Sequence, residues 1–154
     1  MKGQYKVYSA DDHVQEPPNL WTERLSQREW GDKIPHVAVQ DDGTERWVID
    51  GQTKKTRALA STGALSANRF SEPQTWIEVP AASYDPGSRL SAMDQDGIDI
   101  QVLYPSAAGI SGEAFGAIEN PGLEIACCSA YNDWLLDVWA RASTRFVPQC
   151  ILPI

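Results

Sequence analysis

Three polar residues at the end of the first apolar run could take part in binding a metal ion. Residues 5–10 have the composition of a strand, and Asp11, Asp12 and His13 follow them. Alternate side chains of a strand share a face, so Asp11 and His13 are predicted to point the same way. A carboxylate and an imidazole side by side at a strand's carboxyl end make half of a metal site.

Each residue near this cluster also has a structural interpretation. His13 could be a strand-end histidine bonded to a nearby loop, and Asp11 could be an acceptor that orients His13. Asp12 points away in a regular strand and is expected to cap a loop. Glu16 could hold the loop after His13 or reach the site. The chain has only one other histidine, His36, for which a surface or packing role is expected.

Two helices are predicted in the second half of the chain. Asp85 is a suitable N-cap before Pro86, and Gly97 suits the C-terminal stop of the same helix. A longer helix opens at Asn120, because apolar residues recur at three- and four-residue steps as far as Val138.

Apolar runs before and after the longer helix predict two further strands, 98–104 and, after a lead-in over 146–148, 149–154. Strands that alternate with helices imply parallel pairing, which predicts an α/β fold. In such folds the active site lies at the carboxyl ends of the strands. Tyr104 and Ser106 lie at that edge and are predicted to contact the substrate.

A long insertion, about residues 14–84, separates the first strand from the helical part. Asn19 is expected to cap a short helix over 20–25. A hairpin is predicted at about 36–49, around an Asp-Gly turn signal. Residues 52–84 are rich in Thr, Ser, Ala, Gly and Pro, which predicts an irregular binding loop or lid.

The composition excludes several classes of function. The 13 Lys and Arg residues against 21 Asp and Glu give a net charge of −8, which argues against nucleic-acid binding and adsorption to anionic lipid. A hydrophobic content of 42% is enough for a packed core. No apolar leader or membrane span is evident. The three cysteines, Cys127, Cys128 and Cys150, predict reduced thiols in a cytoplasmic protein. Cys150 begins the third predicted strand and is expected to be a buried core residue rather than a nucleophile.

Three blocks of this sequence together resemble the amidohydrolase-related family, which includes aminocarboxymuconate-semialdehyde decarboxylase and resorcylate-type decarboxylases. The first is SADDHVQEPP, residues 9–18. The second, residues 89–105, begins RLSAMDQDGID, and the third begins AYNDWL at residue 130 and ends at FVP, residues 146–148. The blocks occur in the family's order and are far more specific together than any one alone.

The resemblance implies a TIM-type (β/α)₈ barrel with a divalent metal, zinc or manganese. The first strand of that fold supplies two ligands, and the matching positions hold Asp11 and His13. The implied function is a metal-dependent hydrolase or a non-oxidative decarboxylase of a small organic acid, including aromatic acids. An acidic residue at the first ligand position favours decarboxylation.

The length of the chain predicts a partial barrel. A complete barrel needs roughly 250 residues, whereas this chain has 154 and ends in an apolar segment, 151–154. We therefore expect a single domain over 1–154 with about three βα units, the N-terminal portion of the barrel. Its open sheet edges would be covered by the rest of the barrel, by a complementing chain or in a homo-oligomer. The alternative to an enzyme is then a catalytically incomplete fragment or subunit.

Overall fold

The computed structural model describes residues 5–54 and 73–154, which form a mixed α/β structure with two three-stranded sheets. The strands, in chain order, are β1 Tyr8–His13, β2 His36–Val39, β3 Glu45–Ile49, β4 Gln52–Thr53, β5 Ile100–Tyr104 and β6 Phe146–Pro148. The helices are α1 Leu20–Arg24, α2 Gln27–Trp30, α3 Pro86–Asp96 and α4 Pro121–Leu135. Short 3₁₀ turns lie at Gly31–Lys33, Trp76–Glu78 and Ala81–Ser83, and a π-helical turn, Leu136–Ala140, continues α4.

The first sheet is parallel, with the strand order β1-β5-β6. Helix α3 lies between β1 and β5 in sequence, and α4 lies between β5 and β6. This arrangement confirms the predicted α/β class with parallel strands. Closure into a complete barrel stays a prediction.

A bulge interrupts the ladder between β1 and β5. Ser9 is opposite Gln101, but the next pairs are Asp12 with Leu103 and His13 with Tyr104. Strand β1 therefore uses one more residue than β5 over this stretch, which locally bends and twists the strand. Asp12 consequently pairs with the buried Leu103, while His13 pairs with the half-buried Tyr104.

The two longer helices begin as predicted, and α3 also ends as predicted, whereas α4 ends at Leu135 and continues to Ala140 as the π-helical turn. The Asp85 carboxylate accepts the Ser88 N–H at 2.6 Å, and Gly97 ends α3 in the left-handed conformation at φ 69°. The Asn120 side chain accepts from the N–H groups of Gly122 and Leu123 at the start of α4. These caps satisfy backbone groups that a helix end leaves without partners.

The predicted hairpin is the second sheet. Strands β2 and β3 pair antiparallel, from His36 opposite Val48 to Val39 opposite Glu45, and the short β4 adds to the other edge of β3. Part of the segment predicted as an irregular loop, residues 55–72, lies outside the described residues.

The core joins the hairpin to helices α1 and α4. Trp21 packs edge-on against Trp47 and Phe115, each with a centroid separation of 5.3 Å. Its Nε1 donates to the Cys127 carbonyl at 3.0 Å, which ties α1 to α4. The largest fully buried side chains are Trp21, Trp47, Trp139, Tyr131, Phe115, Leu20, Ile34, Ile49, Met93, Leu103 and Leu123.

The third predicted strand, 149–154, does not form. Strand β6 precedes it and ends at Pro148, and residues 149–154 have no regular structure. Both main-chain groups of Ile151 bond to the Asn132 side-chain amide at 2.9 Å, so α4 rather than a neighbouring strand satisfies them. Cys150 is exposed in this segment, and the prediction that it lies in the core of a strand is wrong.

The predicted cap of the short first helix is also wrong. Asn19 makes no side-chain bond to the amides of α1; instead its amide donates to Glu23. None of the helices in the described ranges has the length and apolar character needed to cross a bilayer.

Candidate functional site

The candidate site lies where the two longest strands of the parallel sheet end. His13 is the last residue of β1, and Tyr104 is the last residue of β5. The two side chains are neighbours, with ring centroids 6.0 Å apart and planes inclined at 42°.

A backbone carbonyl fixes the imidazole of His13. Nδ1 lies 2.7 Å from the carbonyl oxygen of Pro105. Because a carbonyl oxygen can only accept, Nδ1 of the neutral ring carries the proton and Nε2 keeps its lone pair. Metal-binding histidines characteristically hold their second ring nitrogen in this way.

The free nitrogen of His13 faces Asp11. Nε2 lies 3.7 Å from Oδ1 of Asp11, whose side chain is 86% exposed, whereas that of His13 is 16% exposed. A zinc ion binds nitrogen and carboxylate oxygen at about 2.1 Å each, so two ligands of one tetrahedral ion are about 3.4 Å apart. The two donors therefore fit adjacent positions around a divalent metal with a small adjustment.

The described residues provide only part of a metal site. Among them no group of three or more His, Cys, Asp or Glu side chains is arranged to hold a metal. Structural zinc has four protein ligands and catalytic zinc has three, so Asp11 and His13 would need further donors.

Asp12 has a different role from the predicted loop cap. Its Oδ1 accepts from the Gln101 side chain at 3.0 Å and lies 4.0 Å from Nη1 of Arg89. Its side chain is only 16% exposed. Asp12 is turned inward because the bulge in β1 places it in register with the buried Leu103.

Arg89 ties helix α3 to the end of β1. This residue is buried, and its Nη2 donates to the His13 carbonyl at 2.6 Å, while Nε donates to Ala82. The guanidinium also lies 5.8 Å from the centroid of the Trp139 ring. Burial lowers the pKa of Arg89, and the nearby Asp12 opposes that shift. Arg89 was not predicted as part of the site; the signal in the sequence is Gln101, a polar residue inside an apolar strand that requires a buried partner.

Glu16 anchors the loop after β5. The residue is fully buried, and its two carboxylate oxygens accept from the N–H groups of Ser106 at 3.0 Å and Ala107 at 2.9 Å. Burial raises the pKa of Glu16 to about 7, although these backbone bonds oppose the rise. Glu16 was predicted either to hold the loop after His13 or to reach the site. Its side chain holds a loop, but the loop is the one that follows β5.

Ser106 lies at the predicted edge with its hydroxyl turned to the backbone. Oγ donates to the Val14 carbonyl at 2.7 Å, which joins the segments after β1 and β5. Contact of Tyr104 or Ser106 with a substrate stays a prediction. His36 bonds through Nδ1 to the Ile34 carbonyl at 2.7 Å and is half-buried, as a packing role requires.

The buried thiols and Tyr131 are held in their protonated forms. Burial raises the pKa of Cys127 to about 12 and that of Cys128 to about 11, so neither is an activated nucleophile. Burial and the charge of Glu16 raise the pKa of Tyr131. The Tyr131 hydroxyl has no hydrogen-bond partner among the described residues.

The fold resembles part of a known enzyme structure. The crystal structure of an amidohydrolase from Mycobacterium avium subsp. paratuberculosis K-10 matches with a TM-score of 0.67 and 17% sequence identity. The match covers 96% of this chain and 43% of the amidohydrolase chain, so this chain spans less than half the length of that structure. No family model and no curated protein matches the sequence. At this identity the similarity establishes the fold.

Proposed function

We propose that this chain supplies the first two metal ligands of an amidohydrolase-like enzyme. The enzyme would be a hydrolase or a non-oxidative decarboxylase that acts on a small organic acid. One observation carries the proposal. At the carboxyl end of the parallel sheet, Nδ1 of His13 is bonded to the Pro105 carbonyl, and Nε2 faces the Asp11 carboxylate at 3.7 Å.

In this proposal each residue has a distinct role. Asp11 and His13 bind a divalent ion, zinc or manganese. Such an ion acts as a Lewis acid that polarises a carboxylate or carbonyl oxygen of the substrate. Pro105 holds the His13 ring through its carbonyl. Tyr104, beside His13, would contact the substrate, and Ser106 would position the loop next to it.

The resemblance of the three sequence blocks and the similarity in fold support the same class of enzyme. Hydrolysis agrees with the activity named for the similar crystal structure. Decarboxylation agrees with the acidic residue at the first ligand position, where Asp11 stands. Both reactions need a polarised carbonyl or carboxylate, so the two ligands serve either one.

A second proposal concerns what the chain can do by itself. Two ligands fall short of the three that a catalytic metal site requires, and the described residues provide no third one. Among the described residues, β1 and β6 are the edge strands of the parallel sheet. We propose that catalysis requires the rest of a barrel or a complementing chain, which would pair with these edges and bring the remaining ligands.

Metal affinity tests the first proposal. The purified chain is titrated with Zn²⁺ or Mn²⁺ by isothermal titration calorimetry, which also detects the weak binding expected of two ligands. His13→Ala should weaken the affinity about tenfold or more, whereas His36→Ala, which removes the only other histidine, should leave the affinity unchanged. Equal affinity of all three proteins would remove His13 from the site. Turnover of amides, lactones or aromatic carboxylic acids by the chain alone would contradict the second proposal.

A further inference from the structure

One peptide group at the site is hydrogen-bonded by side chains on both of its sides. The Pro105 carbonyl accepts from Nδ1 of His13 at 2.7 Å. The N–H of Ser106, which belongs to the same peptide unit, donates to Oε1 of Glu16 at 3.0 Å. The C=O and N–H of a trans peptide point in opposite directions, so the imidazole and the carboxylate lie on opposite sides of this group.

The carboxylate is rigidly held in this arrangement. Glu16 is fully buried, and its second oxygen accepts the Ala107 N–H at 2.9 Å. The same loop is tied to β1 by Ser106 Oγ, which donates to the Val14 carbonyl, and by the Val14 N–H, which donates to the Tyr104 carbonyl. The acceptor of the His13 ring therefore has little freedom to move.

We propose that Glu16 is a positioning residue for His13, and that it acts through the Pro105–Ser106 peptide to hold the imidazole in the Nδ1–H tautomer. Its importance for catalysis rests on the proposed metal role of His13, but the tautomer itself does not. Hydrogen bonds in series polarise one another in a medium of low dielectric constant. The negative charge of Glu16 increases the electron density on the Pro105 oxygen, which strengthens the bond from Nδ1–H and leaves the lone pair on Nε2. Metal-binding histidines commonly donate to a carboxylate or to a backbone carbonyl; here the two are connected by one peptide.

The two backbone N–H groups that Glu16 holds need two acceptor oxygens, which a carboxylate provides and a glutamine does not. Burial of a carboxyl group is nevertheless costly. Its charge also reaches a second group, because His13 is bonded to the other side of the same peptide.

The second histidine provides an internal comparison. His36 also bonds through Nδ1 to a backbone carbonyl, that of Ile34, at the same distance of 2.7 Å. The next residue is Pro35, which has no N–H. A carboxylate therefore cannot polarise that peptide through a hydrogen bond, and the acceptor peptides of the two histidines differ in this respect.

The test is nuclear magnetic resonance of the full chain without metal, with ¹⁵N-labelled histidine, at alkaline pH where Glu16 is ionised. Glu16→Gln is compared with Glu124→Gln, which changes the other glutamate that is buried among the described residues. In the wild type His13 should be almost entirely the Nδ1–H tautomer. Glu16→Gln should lower the ratio of Nδ1–H to Nε2–H at His13 about threefold or more, and Glu124→Gln should not. His36 should be unchanged in both variants.

An unchanged His13 tautomer in folded Glu16→Gln would overturn the proposal. If that variant does not fold, the wild type decides: couplings across both hydrogen bonds, from His13 Nδ1 to the Pro105 carbonyl carbon and from Ser106 N to the Glu16 carboxyl carbon, support the relay. Absence of either coupling overturns it. If the tautomer shifts in Glu16→Gln but His13→Ala leaves the Zn²⁺ affinity unchanged, the proposed function is refuted and the relay remains.

Discussion

The guanidinium of Arg89 donates to the main-chain carbonyl of His13 across 2.6 Å, so helix α3 is bonded directly to the last residue of β1. The same guanidinium lies near Asp12 and Gln101. A single buried side chain thus connects the candidate metal ligand to the helix layer of the fold.

Replacement of Arg89 should destabilise the protein strongly. Arg89→Ala leaves the partly buried Asp12 carboxylate without its cation and the His13 carbonyl without that donor. Loss of one partner of a buried pair costs about 3–5 kcal/mol. Arg141→Ala is the control, because Arg141 forms an exposed pair with Asp137, and its loss should cost less than about 1 kcal/mol. Urea unfolding measures both; equal effects would contradict the role of Arg89.

The neighbouring carboxylates Asp11 and Asp12 should have opposite mutational effects. Asp11 is 86% exposed, so Asp11→Ala should change stability by no more than about 0.5 kcal/mol while it weakens the Zn²⁺ affinity. Asp12→Ala leaves the Gln101 amide without this acceptor and Arg89 without its nearby carboxylate, and it should cost about 2 kcal/mol with the candidate ligands Asp11 and His13 still in place. Denaturant unfolding and calorimetric Zn²⁺ titration of the same proteins separate the two. The reverse pattern would exchange their roles.

Stability should depend on the ionisation of Glu16. Its pKa of about 7 in the folded protein lies above the ordinary value of 4.5, so between these limits the folded state retains a proton that the unfolded state has lost. The contribution of Glu16 is fully present below the lower pKa and is lost as the pH rises through the higher one. The loss amounts to roughly 1.4 kcal/mol for each pH unit between them.

The matched variant isolates this contribution. The free energy of unfolding of the wild type minus that of Glu16→Gln should fall as the pH rises from about 4.5 to about 7, by on the order of 3 kcal/mol. Urea unfolding of both proteins at several pH values measures the difference. A difference that stays constant or rises over this range would contradict the raised pKa.

Two core tryptophans provide a further matched pair. Trp21 and Trp47 are both fully buried and pack edge-on, but only Trp21 donates its indole N–H, to the Cys127 carbonyl. The Trp47 indole N–H has no partner among the described residues. Trp21→Phe should therefore cost about 1–3 kcal/mol more than Trp47→Phe. Thermal or denaturant unfolding tests this difference, and an equal cost would show that the indole bond adds nothing.

Local structure was predictable because it depends on neighbouring residues. The caps at Asp85 and Asn120, the left-handed Gly97 and the turn between β2 and β3 each require only a few adjacent residues. Asn19 shows the limit of such rules, because a competing partner, Glu23, lies within the same helix. The segment after β6 was wrongly predicted as a strand, because the side chain of Asn132 in α4 bonds to both main-chain groups of Ile151.

The sequence by itself determined that a carboxylate and an imidazole stand at the end of the first strand, since the alternation of a strand and its apolar composition are local properties. Only the tertiary structure decided what surrounds them. The acceptor of His13 lies 92 residues away in sequence, and the donor to its carbonyl lies 76 residues away. These partners depend on the register of β1 against β5, including its bulge, and the alternation of side chains within either strand does not show where a bulge interrupts the ladder.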